Sequence, residues 1–179
     1  MPRLFTGLAI PAEIGLALSL KRLSLPGARW IDPQDYHITL RFIGDVDRPT
    51  ANDIDQALLG LEGTAGFEVT IDQLGVFGGD RPRSLYAGVV PEPGLMHLQG
   101  VHERVIQSVG LAPEGRKFTP HVTLARLRGI GAGELARALG EAGSFAPMRF
   151  RPEAFVLYSS KDSVGGGPYV VEATYALAS

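Results

Sequence analysis

Short runs of alternating apolar and polar residues are separated along this chain by stretches whose apolar residues recur at helical spacing. "LFTGLAIP" (Leu4–Pro11) and "LYAGVVP" (Leu85–Pro91) are strand patterns closed by proline. A helix pattern follows each, near Ala12–Leu25 and near Glu92–Val109, the second with Leu95, Leu98, His102 and Val105 at helical spacing. Two further strands are predicted in "YHITLRFIG" (Tyr36–Gly44) and "PHVTLARLRG" (Pro120–Gly129). The next helix is predicted to start at Thr50, read as an N-cap with Asp53 three residues on, with Ile54, Leu58 and Leu61 on one face. Another lies near Gly133–Glu141, with Leu135 and Leu139. Each half then carries a long strand pattern, "FEVTIDQLGVF" (Phe67–Phe77) and "MRFRPEAFVLYS" (Met148–Ser159), and "PYVVEATYAL" (Pro168–Leu177) is a last strand. "GVFGGDRPRS" (Gly75–Ser84) and "SSKDSVGGGP" (Ser159–Pro168) read as hairpin or rim loops.

The order strand–helix–strand–helix–strand thus occurs twice, at offsets of 81 to 84 residues. Leu4 matches Leu85, Phe5 matches Tyr86 and Gly7 matches Gly88. The pattern predicts an internal duplication, with repeats near 3–77 and 84–159 and a closing strand over 168–177, within one domain spanning 1–179. The expected fold is α+β and bilobal. Two antiparallel or mixed sheets, with helices on their outer faces, would flank a central cleft.

Composition narrows the class. The 179 residues are 45% hydrophobic and 20% charged, which suits a globular domain with a real core. A net charge of −2 confines any nucleic-acid surface to a local patch. The absence of cysteine excludes disulfides and thiolate chemistry and fits the cytoplasm. No stretch reaches the length of apolar residues that a membrane span needs. The N-terminal "MPRLFTGLAIPAEIGLALSL" resembles a signal peptide only faintly, and its apolar run has the internal counterpart just described.

Two of the four histidines occupy the same pattern, "HITL" and "HVTL". Strand alternation puts His37, Thr39 and Arg41 on one face and Ile38, Leu40 and Phe42 on the other; His121 and Thr123 likewise oppose Val122 and Leu124. A pseudo-twofold would then set the two His–Thr pairs facing each other. In-line displacement at phosphorus needs such a pair: one imidazole takes a proton from water, the other gives one to the leaving oxygen, and hydroxyls hold the non-bridging oxygens. His97 and His102 have no counterparts and sit in a helix pattern, so they read as structural.

At these residues the chain resembles the two-histidine (2H) phosphoesterase superfamily, and more narrowly the RNA 2′,3′-cyclic phosphodiesterases, historically called the 2′-5′ RNA ligase family. "RLFTGLAIP", "ARWIDPQDYHITLRFIGDV", "LGVFGGDRPRSLYAGV" and "GRKFTPHVTLARL" carry the resemblance. It implies hydrolysis of RNA 2′,3′-cyclic phosphate ends to a 2′-phosphate without metal or other cofactor. It also implies His37 as proton donor, His121 as proton acceptor, and Thr39 and Thr123 as phosphate-binding hydroxyls. Arg126 matches a phosphate contact, although strict alternation turns it away from His121, so that a strand end or bulge would have to redirect it. Phe42 matches an aromatic position near the base, with Phe5 and Tyr86 as further stacking candidates. Arg41, Arg81, Arg83, Arg116, Lys117 and Arg128 are candidates for a basic rim that receives RNA. The expected partner is therefore an RNA end or nucleotide, and the chain is expected to act as a monomer.

Other readings are 2′-5′ ligation, the reverse reaction; an RNA-end or nucleotide-binding module without catalysis; and a metal site. For ligation there is no nucleotide-activating G-x-x-x-x-G-K-[ST] loop. For a metal site the nearby carboxylates, Asp32, Asp35 and Asp45, all cluster beside His37 and none beside His121.

Overall fold

The computed structural model describes residues 3–160 and 167–179. Strands β1 (Arg3–Ala9), β2 (Arg29–Trp30), β3 (His37–Asp45), β4 (Val69–Phe77), β5 (Ser84–Val89), β6 (His121–Arg126), β7 (Met148–Phe150), β8 (Ala154–Ser160) and β9 (Tyr169–Ala176) are interspersed with four helices. These are α1 (Ala12–Ser19), α2 (Arg48–Leu59), α3 (Pro93–Ser108) and α4 (Ala132–Ala142). Part of the expected rim loop after Ser160 lies outside the described residues. Among the described residues no helix is long and apolar enough to cross a membrane.

The strands lie in the order β7-β4-β5-β6-β3-β1-β8-β9, with β2 paired to β6, and every pairing is antiparallel. The two expected sheets are therefore joined edge to edge. The junction is narrow: β3 and β6 share one registered pair, Ile38↔Val122, and part on either side of it. Each lobe also borrows a strand. β4 follows β3 in the chain but pairs with β5, from Ile71↔Val89 to Phe77↔Ser84; β8 follows β6 but pairs with β1, from Arg3↔Ser160 to Gly7↔Val156.

The expected strand Met148–Ser159 is two strands. Pro152 lies between them and has no N–H to give a ladder. β7 pairs with β4 (Val69↔Phe150) and β8 with β1, so the break lets one segment serve both lobes. Helix α1 stops at Ser19, well short of Leu25. Leu25 precedes a proline, which disfavours helical backbone, and its side chain is buried with Leu85, Ala125, Leu127, Ile130 and Leu135 in a core of its own. Helix α2 begins at Arg48. Its N-cap is Asp47, whose carboxylate accepts the Thr50 N–H at 2.8 Å, so Thr50 is the third residue of the first turn and not the cap.

The main core lies between the sheet and the helices. Ile38, Leu40, Val122 and Leu124 from the two His-bearing strands pack there with Leu95, Leu98 and Ile106 of α3 and Ile54 and Leu58 of α2. Each such aliphatic side chain, fully buried, stabilises the fold by roughly 2 kcal/mol. This anchorage holds β3 and β6 rigidly by one face and leaves the other free to carry chemistry.

Candidate active site

His37 and His121 are the first residues of β3 and β6 and line one cavity of about 720 Å³ together with Thr39 and Thr123. Both rings are held in the same way. His37 Nδ1 lies 2.9 Å from the Asp35 carbonyl oxygen and His121 Nδ1 lies 2.6 Å from that of Thr119. A carbonyl only accepts, so each Nδ1 carries the proton, and each neutral ring keeps its lone pair on Nε2. His37 Nε2 accepts from the Thr39 hydroxyl at 3.0 Å. Two strands thus present two Nε2 atoms to one cavity, beside two hydroxyls.

Beyond the threonines, alternation breaks at the same place in both strands. Arg41 faces Thr6 of β1 while Thr39 faces Gly7, leaving Leu40 as an extra residue. Ala125 faces Leu85 of β5 while Thr123 faces Tyr86, leaving Leu124 extra. These bulges reverse the faces that follow. Arg126 turns into the cavity, as strict alternation would forbid. Phe42, expected on the core face, also turns into the cavity and is 44% exposed. Arg41, expected beside His37, is 6% exposed and engaged by Glu103 of α3.

Aromatic rings enclose both imidazoles. Phe5, Tyr158 and Tyr169 lie 4.9, 5.6 and 5.0 Å from the His37 ring centroid. Phe77 and Tyr86 lie 4.8 and 5.3 Å from that of His121. Glycine at position 75 makes room for this second cage, because a Cβ there would sit 2.4 Å from the Tyr86 ring. Phe77, Tyr158 and Tyr169 are absent from the sequence reading. A signal for two of them exists: Phe77 and Tyr158 stand at the 81-residue offset that relates Phe5 to Tyr86.

Burial dominates the electrostatics. It drives His37 down to about 4, against the raising effect of the Asp35 carbonyl, and the charges of His121 and Arg126 push the same way as burial. His121 is lowered too, by burial first, with its Thr119 bond raising and Arg126 lowering it. Both rings are therefore neutral at pH 7 in the unliganded cleft. An anion placed between them would favour protonation.

Of the expected basic rim, Arg41, Arg83, Arg116 and Lys117 line the cavity with Arg126, Arg41 with its guanidinium engaged by Glu103, whereas Arg81 and Arg128 do not. Arg3 also lines it and pairs with Asp45 at 3.2 Å. Asp32 caps the turn before His37 by accepting the Gln34 N–H at 3.1 Å, and the Asp35 carboxylate accepts the Tyr169 N–H at 3.4 Å. Among the described residues no group of three His, Cys, Asp or Glu is placed to hold a metal ion. His97 is exposed on α3. His102 is fully buried, with Nδ1 3.0 Å from the Thr6 hydroxyl.

Residues 9–86 and 88–169 match a family described as LigT like phosphoesterase. An RNA 2′,3′-cyclic phosphodiesterase of Aeropyrum pernix is 40% identical over 101 residues, covering 55% of this chain and 57% of the relative. One of Bacillus subtilis is 28% identical over 162 residues, covering 88% of each. The chain thus spans little more than half the length of the first and most of the second. Escherichia coli LigT complexed with NADP+ superposes with a TM-score of 0.75 at 25% identity, covering 99% of this chain and 98% of that one.

Proposed function

The chain belongs to the LigT-like phosphoesterase family, and we propose that it hydrolyses RNA 2′,3′-cyclic phosphate ends to 2′-phosphomonoesters. The observation that carries the proposal is the pair of imidazoles sharing one cavity, each with Nδ1 tied to a carbonyl and Nε2 left for proton transfer. Water attacks phosphorus while His121 Nε2 takes its proton. The bond from phosphorus to the 3′ oxygen breaks on the far side, and His37 Nε2–H protonates that oxygen. The product carries a 2′-phosphate and a free 3′-hydroxyl, and the two rings exchange protons with solvent to reset.

Thr39, Thr123 and Arg126 are assigned to the non-bridging oxygens, where charge gathers. Phe42, at the position matching Arg126 in the other strand, is assigned to the base. A bound phosphate also brings a negative charge that raises His37 so that it can act as an acid. On this reading residues 3–77 and 84–159 descend from one duplicated unit. The protein works on RNA ends in the cytoplasm as a monomer, because one chain furnishes both histidines.

The test is an RNA oligomer ending in a 2′,3′-cyclic phosphate, incubated with and without excess EDTA and followed by phosphorus NMR. Conversion to the 2′-phosphate, unaffected by chelation, is expected. A 3′-phosphate product would reverse the roles of the two histidines. Turnover lost to EDTA and restored by one divalent ion would replace the two-imidazole mechanism.

A further inference from the structure

Arg41 is a cation two residues beyond Thr39, and its position beside the cleft invites reading it as an RNA contact. Its guanidinium is already spent. Nε donates to the Glu103 carboxylate, Nη1 to the Phe42 carbonyl, and Nη2 to the Ala112 carbonyl at 2.6 Å. Glu103 is equally engaged: its other oxygen accepts the Glu114 N–H at 2.9 Å and the Gln107 side-chain amide at 2.7 Å. One ion pair, with Arg41 buried and Glu103 half-buried, therefore ties β3, α3 and the irregular segment after α3 at Ala112 and Glu114. That segment runs on through Arg116 and Lys117 to Thr119, whose carbonyl holds His121.

The His37 side shows why such mooring matters. There the carbonyl that holds the ring belongs to Asp35, in a 3₁₀ turn, Pro33–Asp35, capped by Asp32. The segment before His121 has no such 3₁₀ turn: Glu114 accepts the Arg116 N–H at 3.1 Å within it, the Pro120 carbonyl accepts the Val89 N–H at 3.1 Å at its end, and the Arg41–Glu103 pair holds its start. We propose that Arg41 and Glu103 are positioning residues for His121: the pair born on the His37 strand fixes the segment that sets the His121 ring. The proposal rests on His121 being one of the two proton-transferring groups.

The test uses Arg41→Lys, which keeps the charge and loses the planar fork, and Glu103→Gln, which keeps the shape and loses the charge. On a cyclic-phosphate-ended oligomer both are expected to lower kcat by roughly 10- to 100-fold, with KM little changed. The double variant should lose no more than the worse single, because the two act as a unit. The limb of the pH profile belonging to His121 should move to lower pH as its carbonyl bond loosens, with His37 and Arg126 still facing it across the cleft. Nitrogen NMR of the His121 ring, recorded without substrate, should show the Nδ1–H tautomer in the wild type and a mixture in the variants. That readout holds whatever ester the protein acts on. If either variant fails to fold, Glu103→Asp keeps the charge, shortens its reach, and should show the same signature.

Two results would overturn the proposal. A lower KM in Glu103→Gln would mean that the freed guanidinium binds phosphate directly. Unchanged kcat and unchanged His121 tautomer, with only the melting temperature lowered, would reduce the pair to a structural ion pair.

Discussion

Neither imidazole in the cleft carries an added proton at pH 7, since burial holds His37 near 4 and lowers His121 from 6.5 as well. If His37 is the acid, as proposed, the pH dependence of kcat/KM, which reports the free protein, should therefore peak below 6.5 and fall as pH rises toward neutrality, because His37 loses its proton first. Under saturation the bound phosphate raises both rings, and the kcat profile should sit at higher pH. A kcat/KM optimum above 7 would contradict these assignments. His37→Ala and His121→Ala should each cost roughly 10²–10⁴-fold in turnover, and the double variant less than the product of the two. His102 offers a control outside the cleft. Burial lowers it to about 4, so the unfolded chain binds its proton first as pH drops below 6.5. Native stability tied to this group is complete above 6.5 and is lost toward pH 4, a loss of roughly 3 kcal/mol. Urea unfolding at several pH values should show a shallower acid slope in His102→Gln. That His37 and His121 form a pair was legible because the His-x-Thr-Leu pattern is repeated. Their depressed protonation was not, because it comes from rings that arrive on distant strands: Tyr158 and Tyr169 at His37, Phe77 at His121.

Strand alternation carried the reading correctly through Leu40 and Leu124, both in the core as expected, and failed at the residue after each. The extra residues, Leu40 and Leu124, are apolar and buried, so nothing in "TLRF" or "TLAR" distinguishes a bulge from an ordinary step of the pleat. Register against the neighbouring strand reveals it, and register belongs to the sheet rather than to the segment. The bulge has chemical consequences. It places Arg126 and Phe42 at matching points of the cleft, a cation in one lobe and an aromatic ring in the other. Removing a charge-assisted contact costs about 1.5–3 kcal/mol, so Arg126→Ala should lower kcat/KM by roughly 10- to 150-fold. It should also weaken the salt dependence of RNA binding. Because Arg126 lowers both imidazoles, its loss should shift both pH limbs upward. With Phe42 stacked on the base as proposed, Phe42→Ala should raise KM and leave kcat nearly intact, since stacking takes no part in bond breaking. Steady-state kinetics at two salt concentrations separate the outcomes: a salt-insensitive defect in Arg126→Ala would mean that it does not meet phosphate.

At the scale of the whole molecule, the sequence announces two similar halves, and that invites a picture of two self-contained lobes. The element order supports the halves and is silent about partners, because an apolar strand pattern does not say which edge it will join. The sheet exchanges the third strand of each half. Without residues beyond the Gly78–Arg83 turn, β4 loses both neighbours, β5 and β7; without the first half, β8 loses β1 and keeps only β9. Tyr158 and Phe77 travel with these strands, so each imidazole takes part of its cage from the other half. A backbone cut in the exposed turn at Gly79–Asp80 should be tolerated in the intact fold, as cuts at loop tips usually are. The fragments expressed singly should behave otherwise. Each would present long unpaired strand edges and an uncovered core face, and should be unfolded or aggregated. Refolded together they should recover both the circular-dichroism spectrum and the proposed cyclic phosphodiesterase activity, because the exchanged strands then find their partners. Cooperative thermal unfolding by either fragment alone would show that a half can close its own sheet, and the exchange would then be a consequence of assembly and not its condition.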